Sequence, residues 1–80
     1  MNRKDVVERA TQIFRDVLDE DSIVLRDSLT AKDIDGWDSL SHISLIVAIE
    51  REFHIKFQLA ELKHLKDVGA LLDLVVKKIA

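Results

Sequence analysis

The sequence predicts an all-α domain: a small four-helix bundle with a long loop between its first two helices and a short third helix. Three observations carry that expectation. Apolar residues follow the i, i+3, i+4, i+7 rhythm of a buried helical face through almost the whole chain. Helix breakers are nearly absent, with no proline anywhere and Gly36 and Gly69 as the only glycines. The composition, 48% apolar and 34% charged, is that of a globular domain rather than a disordered or membrane-spanning chain. Eighty residues suit one domain, expected over 1–80, with a modest core that hides about 60% of the unfolded surface.

In the first helix, expected from Arg3 to Leu18, one face collects Val6, Val7, Ala10, Ile13, Phe14, Val17 and Leu18, with Asn2 placed to cap. The stretch Asp19 to Asp38 is rich in Asp and Ser and carries Ile23, Leu25, Leu29 and Ile34 at irregular spacing. It reads as a long loop pinned to the core at several points, with a short helical turn near Ala31. Loops of that length inside a small domain are usually functional or disordered, and the apolar anchors argue for function. The second helix is expected from Ser39 to Phe53, a short third element from Ala60 to Leu65, and the fourth helix from Val68 to Ile79 behind an Asp67 cap.

The second helix is apolar on two sides. At 100° per residue, His42, Leu45, Ile46, Ile49 and Phe53 fall within an arc of about 100°, the expected core face. Leu40, Ile43 and Val47 cluster within about 60° on the opposite side, where a surface helix is normally polar. This second stripe packs under the long loop or is presented to a partner. It begins one residue after Ser39, at the end of "DIDGWDSLSHI", residues 33–43.

Asp38 and Ser39 are both good helix caps, which is the simplest account of them. A serine at a helix start also has its hydroxyl at the positive end of the helix dipole, where backbone N–H groups favour an attached phosphate. It suits a phosphodiester better than a catalytic nucleophile, which needs a base and an orienting acid. His42, His54 and His64 have no clear part in such a triad, and a short helical chain offers little concave pocket, so no catalytic residue is expected. No metal centre is expected either, on the reading that neither a His-x-x-x-His nor a Glu-x-x-His pair occurs. The chain has no cysteine, so any thiol chemistry needs a group brought from outside.

Charge and hydropathy narrow the partners. A net charge of −3 disfavours nucleic acid and acidic membranes and points to basic patches on other proteins. The longest apolar run, Leu45 to Ile49, is far short of the roughly 20 residues of a membrane span, and the start MNRKDVVER has no signal-peptide core. A cytoplasmic monomer is the expectation.

The segment "GWDSLSHISLIVAIEREFHIKF", Gly36 to Phe57, resembles the phosphopantetheine attachment segment of acyl carrier proteins: Asp-Ser-Leu, then an apolar helix ending in Glu-x-Glu-Phe. The long first loop, the short third element and "LKDVGALLDLV" extend the resemblance over the whole chain. It implies a four-helix bundle of acyl-carrier type that is not an enzyme. It also implies that Ser39, flanked by Asp38 and Leu40, receives 4′-phosphopantetheine from coenzyme A through a magnesium-dependent phosphopantetheinyl transferase. The arm would supply the missing thiol and carry an acyl or aminoacyl thioester between a ligase and downstream transferases. Partners of this family dock on the second helix and the loop before it, which implies a docking surface of Trp37, Leu40, Ile43, Val47 and Glu50.

Two departures accompany the resemblance. Ser41 and Ser44 stand where relatives are often acidic, and Arg51 interrupts the Glu50/Glu52 pair, so the usual electropositive partners should fit poorly. Trp37 replaces a small residue and is expected to pack on the loop, with shielding of the arm as the other possibility. Together they suggest a stand-alone carrier for a dedicated ligase. Two alternatives stay open: an aminoacyl or peptidyl carrier, and an unmodified helical adaptor that binds a partner through the Leu40, Ile43, Val47 stripe.

Overall fold

The computed structural model describes residues 2–79 and consists of helices α1 (Arg3–Val17), α2 (Ser39–Phe53), α3 (Leu59–Leu62) and α4 (Val68–Ile79), with a 3₁₀ turn at Ala31–Asp33 and no strand among the described residues. The expected fold class is the one observed.

Helix α1 begins where the Asn2 side chain accepts the Asp5 N–H at 2.9 Å. It ends one residue before the expected limit. Leu18 is the cap, its N–H on Phe14 O at 3.0 Å, and Asp19 then turns left-handed at φ 52°, a conformation short polar residues tolerate. The buried face of α1, Val6, Ala10 and Phe14, packs against both α2 and α4. One core results, completed by Leu45, Ile46, Ile49 and Phe53 of α2 and by Val68, Leu71, Leu72 and Val75 of α4. Each of these large side chains contributes about 1.5–3 kcal/mol by leaving water.

The long loop is fastened along its length. Ile23 and Leu29 are buried and Leu25 and Ile34 half-buried, so all four sequence anchors reach the core. Arg15 Nε donates to Ile23 O at 2.9 Å. Farther on, Val68 N–H donates to Leu29 O and Gly69 N–H to Asp27 O, both at 2.9 Å, so the loop's carbonyls satisfy two otherwise orphaned donors of the first turn of α4. That approach demands the glycine: a Cβ at Gly69 would lie 2.9 Å from the Asp27 Cβ and carbonyl oxygen. Arg3 adds ion pairs to Asp27 at 2.8 Å and Asp73 at 3.2 Å, tying α1, loop and α4 together.

Helix α3 is shorter and earlier than the expected 60–65. Gln58 N–H donates to the Glu61 carboxylate at 2.7 Å and opens the helix, but His64 and Leu65 donate three residues back, to Glu61 O and Leu62 O, and wind tighter than an α-helix. Helix α4 starts as expected, with Asp67 accepting the Ala70 N–H at 2.8 Å.

Candidate functional site

The site is the start of α2 and the face that follows it. Gly36, at φ +88°, turns the loop into the helix through a conformation that L side chains rarely adopt. Asp38 is the cap: one carboxylate oxygen accepts the N–H groups of Leu40 and Ser41, each at 3.0 Å. Ser41 answers it, accepting the Asp38 N–H on its hydroxyl at 2.8 Å and donating that hydroxyl to Gly36 O at 2.7 Å. This reciprocal box uses a serine where Glu or Gln is usual, and the Asp-x-x-Ser spacing was the available sequence signal for it. Above all the Ser41 N–H, and then the Ser41 hydroxyl and the Leu40 N–H, hold the Asp38 carboxyl below the usual carboxylate range.

Ser39 is therefore the first residue of the helix rather than its cap. It is exposed, and among the described residues its hydroxyl makes no hydrogen bond. Asp38 takes the Leu40 and Ser41 donors and places its own negative charge at the helix start, beside the exposed Ser39 hydroxyl where the phosphate is expected.

The second stripe does not pack under the loop. Leu40 is 77% exposed, Ile43 62% and Val47 40%, whereas Leu45 and Ile49 on the other face are buried. Two of the expected docking residues also make contacts within the chain. Trp37 is half-buried, its ring edge-on to Phe14 at 5.2 Å and stacked on His42, with the indole N–H donated to His42 Nδ1 at 3.2 Å. It fastens the loop, as its size suggested, and walls a recess of about 90 Å³ with Ala31, His42, Leu65 and Leu71. Glu50 accepts the Phe57 N–H at 2.9 Å, closing the chain after α2, and remains half-exposed in a groove with Val47 and Arg51. Glu52 pairs with Arg9 of α1 at 3.2 Å.

No histidine forms a hydrogen bond with Ser39. His42, expected on the core face, is half-buried and accepts from Trp37; His54 is exposed and ends α2 in a left-handed turn at φ 55°. The expectation that no Glu-x-x-His pair occurs is corrected at Glu61 and His64, which have that spacing; the Glu61 carboxylate is taken by Gln58 N–H and Lys78, and no cluster of three ligands occurs among the described residues. No helix among them is long and apolar enough to cross a membrane.

A capped helix start with an exposed serine beside an apolar stripe is compatible with a carrier domain, and the comparisons identify the family. Residues 8–75 match the phosphopantetheine attachment site family. An acyl carrier protein of Thermosynechococcus vestitus is 33% identical over 81 residues, covering 100% of this chain and 99% of that protein. One of Caulobacter vibrioides is 30% identical over 95% of this chain and 97% of its own length. The solution structure of a holo acyl carrier protein from Geobacter metallireducens has a TM-score of 0.88 and 55% identity, covering 92% of this chain and 85% of that one. The chain belongs to the acyl carrier protein family, carriers of a covalent 4′-phosphopantetheine, and the acyl-carrier reading is supported over the adaptor.

Proposed function

We propose that Ser39 is the attachment point of the 4′-phosphopantetheine arm, and that the thiol at its far end holds acyl intermediates as thioesters for a ligase and downstream transferases. One observation carries the assignment. Of the three serines in the first turns of α2, Ser41 spends its hydroxyl on the cap, Ser44 lies more than a turn into the helix, and Ser39 alone stands exposed and unbonded at the helix start.

In the transfer, the Ser39 oxygen attacks the β-phosphorus of coenzyme A and the pyrophosphate bond breaks. Adenosine 3′,5′-bisphosphate leaves, and the serine proton passes to a base of the transferase. This chain contributes position: Asp38 and Ser41 fix the helix start so that the hydroxyl faces a docked enzyme. The arm supplies the thiol that the cysteine-free chain lacks. Tethering then replaces diffusion between successive active sites by a high effective concentration. Leu40, Ile43 and Val47, running away from the serine along one ridge, are the apolar contact for those enzymes.

The test is intact mass after incubation with coenzyme A, magnesium and a broad-specificity phosphopantetheinyl transferase. Wild type gains one phosphopantetheine, and Ser39→Ala gains none while keeping its helical circular dichroism. An unmodified wild type, or addition at Ser41 or Ser44, overturns the assignment.

A further inference from the structure

The chain is acidic overall, yet the far end of the apolar ridge is cationic. Arg51 stands one helical turn beyond Val47 on the same ridge, at the i+4 position. A groove lined by Val47, Glu50, Arg51, His54, Ile55 and Lys56 runs along one side of it, with one carboxylate against two fixed cations. On the other side, between α2 and α3, lies a second groove lined by Ile43, Ile46, Val47, Leu62 and Lys63. Arg51, Lys56 and Lys63 are exposed, and none takes part in an ion pair among the described residues.

Of the nearby carboxylates, Glu52 is paired with Arg9 and Glu61 with Lys78, whereas Glu50, bonded only to the uncharged Phe57 N–H, keeps its charge and offsets one of the three cations, so the excess is positive. Complementing the dipole at the end of α2 explains Arg51 alone; it explains neither Lys56 in the following loop nor Lys63 after α3. Acidic charge gathers instead at the other end of the ridge, where Asp35 and Asp38 flank Ser39. The ridge is thus apolar in its middle, negative at the serine and net positive beside Val47 at Lys63 and beyond it at Arg51 and Lys56.

We infer that the enzymes served by this carrier dock with an apolar pocket over Leu40, Ile43 and Val47 and an acidic collar against Arg51, Lys56 and Lys63. This rests on the assignment of Ser39 and adds the charge of the partner, opposite to what the net charge of the chain suggests. The charges set encounter rate and register, while the apolar ridge provides the contact that persists at high salt.

The experiment is a charge swap. A phosphopantetheinyl transferase with a basic carrier-docking patch is compared with the same enzyme in which that patch is replaced by Glu. Dissociation constants and the rate of arm addition are measured on wild type, on Arg51→Glu/Lys63→Glu and on Arg51→Gln/Lys63→Gln, with melting temperatures to show that all three are folded. Wild type should bind the acidic-patch enzyme about tenfold more tightly than the basic-patch enzyme at low salt, the glutamate variant should invert that order, and the glutamine variant should fall between. High salt should erase the difference. A wild type that binds the basic-patch enzyme as well or better, while Ser39 is still modified, overturns the acidic collar. Modification by neither enzyme overturns the Ser39 assignment and the inference with it.

Discussion

Ile43 and Ile49 are the same residue six positions apart on one helix, and they live in different environments. Ile49 has none of its surface exposed; Ile43 has 62%. A rotation of about 120° separates them, enough to carry a side chain from the center of the bundle to its outside. The inner face of α2 is closed by α1 and the rest of the core, and its residues answer to packing. The outer face is largely open, with only Leu62 and Lys63 across a groove from Ile43 and Val47, and it is this exposed apolar stripe that we propose as the contact surface.

The largest expected effect tests that contrast directly. Ile49→Asp buries an unpaired charge and costs several kcal/mol, against a total margin of about 5 for a domain this small, so the variant should be unfolded by circular dichroism at room temperature. Ile43→Asp should melt within a few degrees of wild type but take up phosphopantetheine at least several-fold more slowly, because the partner loses an apolar contact beside Ser39. Equal unfolding of the two variants would mean that the outer stripe is core.

A smaller effect is expected at the border of the two faces. Asp38→Ala removes the cap and should lower stability, read as a drop in the denaturant midpoint. Its pH dependence follows from the depressed Asp38 carboxyl: the folded value lies below the unfolded one, so its stabilisation is complete above the usual carboxylate range and is lost as pH falls through the lower, folded value. Asp38→Asn keeps the cap acceptor and should flatten that part of the acid transition. An unchanged acid limb in Asp38→Asn would assign the acid sensitivity to other carboxylates, with Glu61 and Glu20, both also depressed, the first to examine.

The smallest effect sharpens the boundary of the outer face. Glu50 belongs to the outer side by sequence angle but spends its carboxylate on the Phe57 N–H. Glu50→Ala should cost about 1 kcal/mol in stability and leave the rate of arm addition within about twofold of wild type. A large rate effect with unchanged stability would return Glu50 to the docking surface.

Much of this was legible from residue order. The caps at Asn2 and Asp67, the limits of α2 and α4 and the four apolar anchors of the long loop were all readable, because helical spacing and capping act over a few residues. The end of α3 was not, since a four-residue helix has too few turns for periodicity to show. Gly69 was readable only as a breaker inside a helix; its reason, the backbone of Asp27 at van der Waals range, lies 42 positions away in the chain.

By itself the sequence determined that the chain is helical, that α2 is apolar on two sides, and that a serine stands at its start between Asp38 and Leu40. Tertiary structure decided what each polar side chain is used for. Asp38 rather than Ser39 became the cap, Trp37 was drawn onto Phe14 and His42, Glu52 onto Arg9 and Glu50 onto the Phe57 N–H, while Arg51, Lys56 and Lys63 form no ion pair among the described residues. The physical reason is one of range. Helical periodicity fixes the direction in which a side chain leaves the backbone, but the atoms its far end meets belong to other segments, and only folding brings those segments within reach.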